Sequence, residues 1–413
     1  MAREVRRGRR QAGNAQSQGR ETTKQDQDVK RSKRKPNSAE RVDGTSRKQQ
    51  RKSGNSSIAR KSRNAAVMSP YKRGMKEDED GARYEGRFKD GMLEGRGTIY
   101  FPDGGWQQGI WRDGQMEGEG EYVDDEGYRI HGCWKDGLLN GPGQEVAPGG
   151  FLVYQGEFKD GVRNGMGTLN FLDGGRVYGS WVNGELHGQA EYWYPDGKSG
   201  LNGVWKHGDM KEAKYFGKTP DSPPLHWPEK DWRSLIYCCD ESTQESISSS
   251  PLLPDPYEAE RCRVGTSSLC GTKDEGVAGG NEAGEGLFLR TSAQEGELLS
   301  FYNGIRYPHA VVDKRAWKMN GNCISLDEEF AIDVPPEHSS IDRYCASLGH
   351  KANHSFQPNA EYAPCFHPRF GHIKCIRALR RMEAGEEVLV HYGYTNQMPR
   401  WYLQIKRAHE VIR

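Results

Sequence analysis

The nine cysteines of this 413-residue chain never form a Cys-x-x-Cys pair; Cys133, Cys238, Cys239, Cys262, Cys270, Cys323, Cys345, Cys365 and Cys375 are scattered. The pattern excludes zinc fingers and ribbons, whose ligands come in closely spaced pairs, and an odd count argues against a disulfide framework. No metal site is expected. Long apolar runs are missing as well. No segment reaches the roughly 20 residues that cross a bilayer, and the charged N-terminus lacks the apolar core of a secretory signal. The expectation is a soluble, intracellular protein.

The first 73 residues have few acidic and few large apolar groups. They hold 22 Lys or Arg against 6 Asp or Glu, a balance of +16 in a chain whose total is +1, so the remainder is −15. A stretch this polar buries too little apolar surface to offset its ordering entropy, and a disordered basic tail is expected over 1–75. Within it, Lys30-Arg31-Ser32-Lys33-Arg34-Lys35 reads as a contact for an import receptor or for nucleic acid, since clustered cations displace counterions from phosphates, or as a merely solvated run.

Glycine is plentiful and recurs in register. Gly86-Arg87-Phe88-Lys89-Asp90-Gly91 is followed by five similar units closing at Gly114, Gly137, Gly161, Gly184 and Gly208, spaced 23, 23, 24, 23 and 24 residues apart. A constant period marks a repeat architecture, and Asp-Gly or Asn-Gly between short alternating runs is the signature of tight hairpins. One hairpin buries too little to stand alone. The repeats should therefore stack over 81–217 into one antiparallel sheet, with Phe88, Trp111, Trp134, Phe158, Trp181 and Trp205 packed in a row. The pattern resembles the MORN repeat, which implies contact with a protein or a membrane lipid; a plain structural platform is the alternative.

Pro, Ser and Asp then dominate 218–270, read as a linker and lead-in segment. Beyond a Gly-rich loop, short β-rich runs at 298–302, 330–334, 373–376 and 387–392 predict a mainly β domain of small sheets over 271–394. It contains Asn353-His354-Ser355 and, about forty residues on, Tyr392-Gly393-Tyr394. Asn and His side by side can hold a polar ligand, and phenols can line an apolar tunnel while offering hydroxyls. With Gly284-Glu285-Gly286 and Ser300-Phe301-Tyr302-Asn303-Gly304 upstream, the order resembles the SET domain of protein lysine methyltransferases. The run from Tyr344 to Ser355 is similar to the MORN-bearing branch of that family. The resemblance implies a pseudoknot bringing Asn353-His354 beside the terminal tyrosines, and a short C-terminal helix over 395–413.

What the resemblance implies for the site is specific. Tyr392, Tyr394, Tyr302 and Tyr362 are the channel tyrosines, with Tyr392 catalytic and Tyr362 favouring a single methyl. The cofactor is S-adenosyl-L-methionine, held by Ala283, Gly284, Glu285, Asn322, His350, Lys351, Asn353, His354 and Trp401. Substrate contacts fall to Tyr302, Asp313, Cys323, Ser325, Tyr362 and Lys374. Cys323 stands where that branch has a threonine, and Ile405 where it has an acidic residue. The reading is a nuclear, chromosome-associated, monomeric protein-lysine monomethyltransferase, with some cytoplasmic presence, acting on the fourth residue of the histone H3 tail and on other lysine-bearing proteins. Its rivals are a MORN scaffold with a silent SET domain and a chromatin tether driven by the basic tail.

Overall fold

The dipeptide that closes each of the six repeat units reverses the chain by the same device. In the computed structural model, which describes residues 71–217, 236–238, 254–267, 284–316 and 319–393, the first turn residue takes a left-handed backbone. Its φ is 50° at Asp90, 47° at Asp113, 50° at Asp136, 51° at Asp160, 52° at Asn183 and 54° at His207, and the next glycine is positive too. Two successive positive φ values give the type I′ turn, whose twist matches that of paired strands. His207 replaces the usual Asp or Asn, and His is one of the side chains that tolerate this region.

The result is a 14-stranded antiparallel sheet in strict chain order, from β1 (Lys72–Glu77) to β14 (Ile236–Cys238). It begins ahead of the expected position 81 and takes residues 72–75 from the expected tail. All six residues of β1 are exposed, and its lysines and arginine discourage pairing at the open edge. The rest of the tail lies outside the described residues. Trp111, Trp134, Phe158, Trp181 and Trp205 form the expected buried row, while Phe88, nearer the open edge, is half-buried. Indoles reach across the strands to glycine carbonyls: Trp111 Nε1 donates to Gly97 O (2.8 Å) and Trp134 Nε1 to Gly120 O (2.9 Å). A Cβ on Gly120 would lie 2.6 Å from Met116 Sδ, so a side chain here would displace the buried Met116 thioether.

Within the lead-in segment, residues 236–238 and 254–267 are described and carry regular structure. Asp255 caps α1 (Pro256–Arg261), and β15 (Cys262–Thr266) pairs with β16 (Glu285–Leu289), so residues 262–266 belong to the second domain. That domain continues through β17 (Leu298–Tyr302), β18 (Ile305–Pro308), α2 (His309–Val312), β19 (Cys323–Ser325), β20 (Phe330–Asp333), β21 (Asn353–His354), β22 (Ala360–His367), β23 (Gly371–Ala378) and β24 (Leu389–Val390). They form the expected small sheets, β15-β16, β17-β23-β22, β18-β20-β19 and a parallel β21-β24 pair. Among the described residues no helix is long and apolar enough to cross a membrane, and no group of three or more His, Cys, Asp or Glu is placed to hold a metal.

The two domains share a polar knot. His367 and Asp255 are fully buried 2.9 Å apart, and Tyr194 of the repeat sheet donates to the same Asp255 oxygen (2.7 Å). Burial keeps His367 neutral, below its ordinary pKa, although Asp255 pulls the other way. Burial opposes ionisation of Asp255 as well, yet the hydrogen bonds from His367, Tyr194 and the Glu258 N–H hold it below the usual carboxylate range. Tyr194 also stacks on Tyr257 with 4.7 Å between ring centres.

Candidate active site

Three tyrosines arrive from three elements. Tyr302 ends β17, Tyr362 lies in β22, and Tyr392 follows β24. With Gly321, Asn322, Cys323, Ile324, His350 and Ala352 they line a narrow cavity of about 20 Å³, room for little more than one water-sized group. Tyr302 OH donates to Asn322 O (2.6 Å) and Tyr392 OH to Ala352 O (2.8 Å). The Tyr302 and Tyr362 rings meet edge to face at 5.7 Å. Burial, reinforced by the neighbouring phenols, pushes the Tyr302 hydroxyl well above its ordinary pKa, so it stays a neutral donor. Burial and then the charge of Asp333 push the Cys323 thiol up to about 12, which leaves it a polar wall rather than a nucleophile.

The parallel β21-β24 pairing sets Asn353 against Leu389 and His354 against Val390. His354 thereby reaches the last tyrosine, and its Nδ1 accepts the Tyr392 N–H (3.1 Å). Asn353 Nδ2 donates to Glu285 O (3.0 Å), and Lys351 Nζ pairs with the Glu285 carboxylate. Burial, then the charge of His391, lowers His354 to about 4; burial, then the charge of Lys351, lowers His350 to about 3. Both imidazoles are neutral at physiological pH. His350 lines the cavity but spends its Nε2–H on Ser339 O (3.3 Å).

The structure thus gathers Tyr302, Tyr362, Tyr392, Asn322, Cys323 and His350 around one cavity, with Glu285, Lys351, Asn353 and His354 in a second, linked cluster. Gly284 accepts the Ser267 N–H at the head of β16. Asp313 is exposed at the end of α2, and Ser325, exposed at the end of β19, donates to Asp327 O. Lys374 is the register partner of Tyr302; none of these three lines the cavity. Ala283, Tyr394, Trp401 and Ile405 lie outside the described residues, as does the expected C-terminal helix.

Two carboxylates escaped the sequence reading. Glu387 Oε1 accepts from Asn353 Nδ2 (2.9 Å) and Ser267 Oγ (2.7 Å), fixing the amide's orientation. Its only sequence signal is the pair Glu386-Glu387, and nothing short of the fold tells which one turns inward. Glu258, fully buried in α1, accepts on one oxygen from the Ser300 hydroxyl, the Phe301 N–H (2.9 Å) and the Leu348 N–H (2.9 Å). Burial pushes its carboxyl up to about 8 against these three donors. It has no sequence signature, since Glu is ordinary in the first turn of a helix.

Comparison with known proteins finds matches in both domains. Residues 284–393 match the SET domain, and residues 84–106, 108–127, 131–150, 154–176 and 178–199 match the MORN repeat. The chain carries MORN repeats and a SET domain. The sixth repeat unit, through Gly208, lies beyond the matched repeats yet forms the same hairpin, Gly200–Lys206 with Asp209–Phe216. A histone-lysine N-methyltransferase SETD7 of Halocynthia roretzi is 39% identical over 216 residues, which cover 49% of this chain and 53% of that relative. The match spans about half the length of each.

Proposed function

We propose that the SET domain is a protein-lysine methyltransferase that moves one methyl group from S-adenosyl-L-methionine to a lysine of the histone H3 tail, its fourth residue, and to other lysine-bearing proteins. The observation that carries this reading is the narrow cavity bounded by Tyr302, Tyr362 and Tyr392 beside the Asn353-His354 cluster. Kinship with a SETD7 supports it.

The residues present suit the cofactor. At Gly286 a Cβ would collide with the Glu387 carboxylate and crowd the Asn353 amide, so backbone is left bare there. Two neutral histidines add no positive charge, and the Lys351 charge is matched by Glu285. Glu285, Lys351, Asn353 and His354 would hold the molecule, which supplies an electrophilic methyl on a sulfonium. The phenols do the rest. They keep the amine in line, because positioning is the main device in a displacement of this type. The enclosed channel disfavours the ammonium form and so frees the amine lone pair. Tyr302 and Tyr362 leave little space around the amine, which limits it to one methyl. The −15 balance outside the tail suits a basic peptide.

We place the protein in the nucleus and on chromosomes, with the Lys30–Lys35 cluster serving import or nucleic-acid contact, and the MORN sheet offering a protein or lipid contact. The test is transfer from labelled S-adenosyl-L-methionine to histone-tail peptides, read by product mass, for the wild type and Tyr392→Phe. A single added methyl on the H3 peptide, sharply reduced in the variant, is expected. Cofactor binding without transfer to any peptide would instead favour a MORN scaffold with a silent SET domain.

A further inference from the structure

β22 is the outer strand of the β17-β23-β22 sheet, so one side of its backbone has no ladder partner in its own domain among the described residues. Both groups of Phe366 on that side are taken by the repeat sheet. Its N–H donates to Asp173 Oδ2 (2.7 Å) and its carbonyl accepts from Tyr192 OH (3.3 Å). Arg377 of β23 donates to the Asp173 carbonyl (2.5 Å), and Phe171 stacks on Phe366 at 4.3 Å with 14° between the rings. Asp173 is buried, and its other carboxylate oxygen holds the Gly175 N–H within the turn (2.8 Å). Both oxygens are therefore in use.

We propose that Asp173 is a positioning residue for the lysine channel, acting through β22 on Tyr362. This rests on the methyltransferase reading. Strand alternation puts Tyr362 on the same face as Phe366, roughly 13 Å back along the strand. Between them stands Pro364, whose fixed φ stiffens the link and whose missing N–H suits an outer strand. A shift at Phe366 is thus carried to the edge-to-face contact of Tyr362 with Tyr302. The repeat sheet is part of the channel's mounting.

Asp173→Asn tests the idea because an amide offers one acceptor where the carboxylate supplies two. Either the turn or the Phe366 N–H loses its partner, while the shape is kept. The wild type and variant are compared by hydrogen exchange over 360–367 and over 162–170, and by methyl count on an H3-tail peptide. Exchange around Tyr362 should quicken about tenfold with 162–170 unchanged, and a second methyl should appear on the product. Phe171→Leu strikes the same contact from the ring side; it should move both readouts the same way by less, and serves if Asp173→Asn does not fold. A rise in exchange confined to Phe366 and His367 with one methyl retained, or a uniform rise through both domains, overturns the proposal. If the wild type transfers no methyl, the enzymatic reading fails, and exchange at Tyr362 still decides whether Asp173 positions it.

Discussion

Replacing Glu258 with Gln should change how stability responds to pH, with a sign that the structure dictates. The Glu258 carboxyl is pushed from 4.5 up to about 8 by burial. Between those values the folded chain keeps a proton that the unfolded chain has released, so stability falls as pH rises, by about 1.4 kcal/mol per unit. Across the window the loss approaches roughly 5 kcal/mol, and it is absent below the unfolded pKa, where both states are protonated. Gln cannot ionise, and its carbonyl can take over the Phe301 and Leu348 N–H donors. Urea midpoints measured near pH 5 and near pH 8 should therefore diverge, with the variant gaining on the wild type at the higher pH. Other groups cancel in the difference. His350 and His354, lowered to about 3 and about 4, favour folding as pH rises toward the ordinary histidine range, and Asp333, raised to about 6, acts in the Glu258 direction. Both proteins share all three. A gap between variant and wild type that stays constant with pH would show that Glu258 is ionised in the fold, and would refute the reasoning.

Arg163→Met should destabilise the repeat sheet by roughly 3–5 kcal/mol, because Glu145 loses a partner at 2.6 Å while remaining buried; an Arg163→Met/Glu145→Leu double variant should recover much of this in urea unfolding, and failure to recover would mean that the pair is not the cause. Trp134→Ala removes a buried indole and its bond to Gly120 O, and should lower unfolding free energy by about 3–5 kcal/mol. A loss under about 1 kcal/mol would show that the aromatic row is not the core of the sheet. Tyr302→Phe deletes the hydroxyl that donates to Asn322 O, and should cut turnover about tenfold while a second methyl accumulates; unchanged rate and product mass would remove Tyr302 from the channel's working parts.

Legibility followed the range of the interactions. The hairpins could be read from sequence because Asp90-Gly91 and its successors act within two residues, and the period repeats the message five more times. The strand at 298–302 emerged as expected, whereas the run at 387–392 pairs as strand only at Leu389–Val390: Glu387 makes an isolated bridge to Phe288, and the Tyr392 N–H goes to the His354 side chain. The edge strand β1 was hidden, because Lys72-Arg73-Gly74-Met75-Lys76 reads as part of a charged tail and is held in place by a partner strand rather than by its own apolar face. Tyr302, Tyr362 and Tyr392, which line one cavity, were singled out through motif resemblance, not spacing. Glu258, Glu387 and Asp173 were not found: each acts through partners far along the chain, 193 residues away in the case of Phe366, and an isolated carboxylate carries no sign of such a partner.

That separation also bears on the order of assembly. Every contact that builds the repeat sheet closes within one period of about two dozen residues, the kind of local topology that forms quickly and can grow from one end. β22 follows nearly two hundred residues after the turn that receives it, so during synthesis the sheet can be complete before its guest strand is made. The repeats then serve as a template on which the later domain is cast, and a fault in the sheet would surface as a mis-set second domain far downstream.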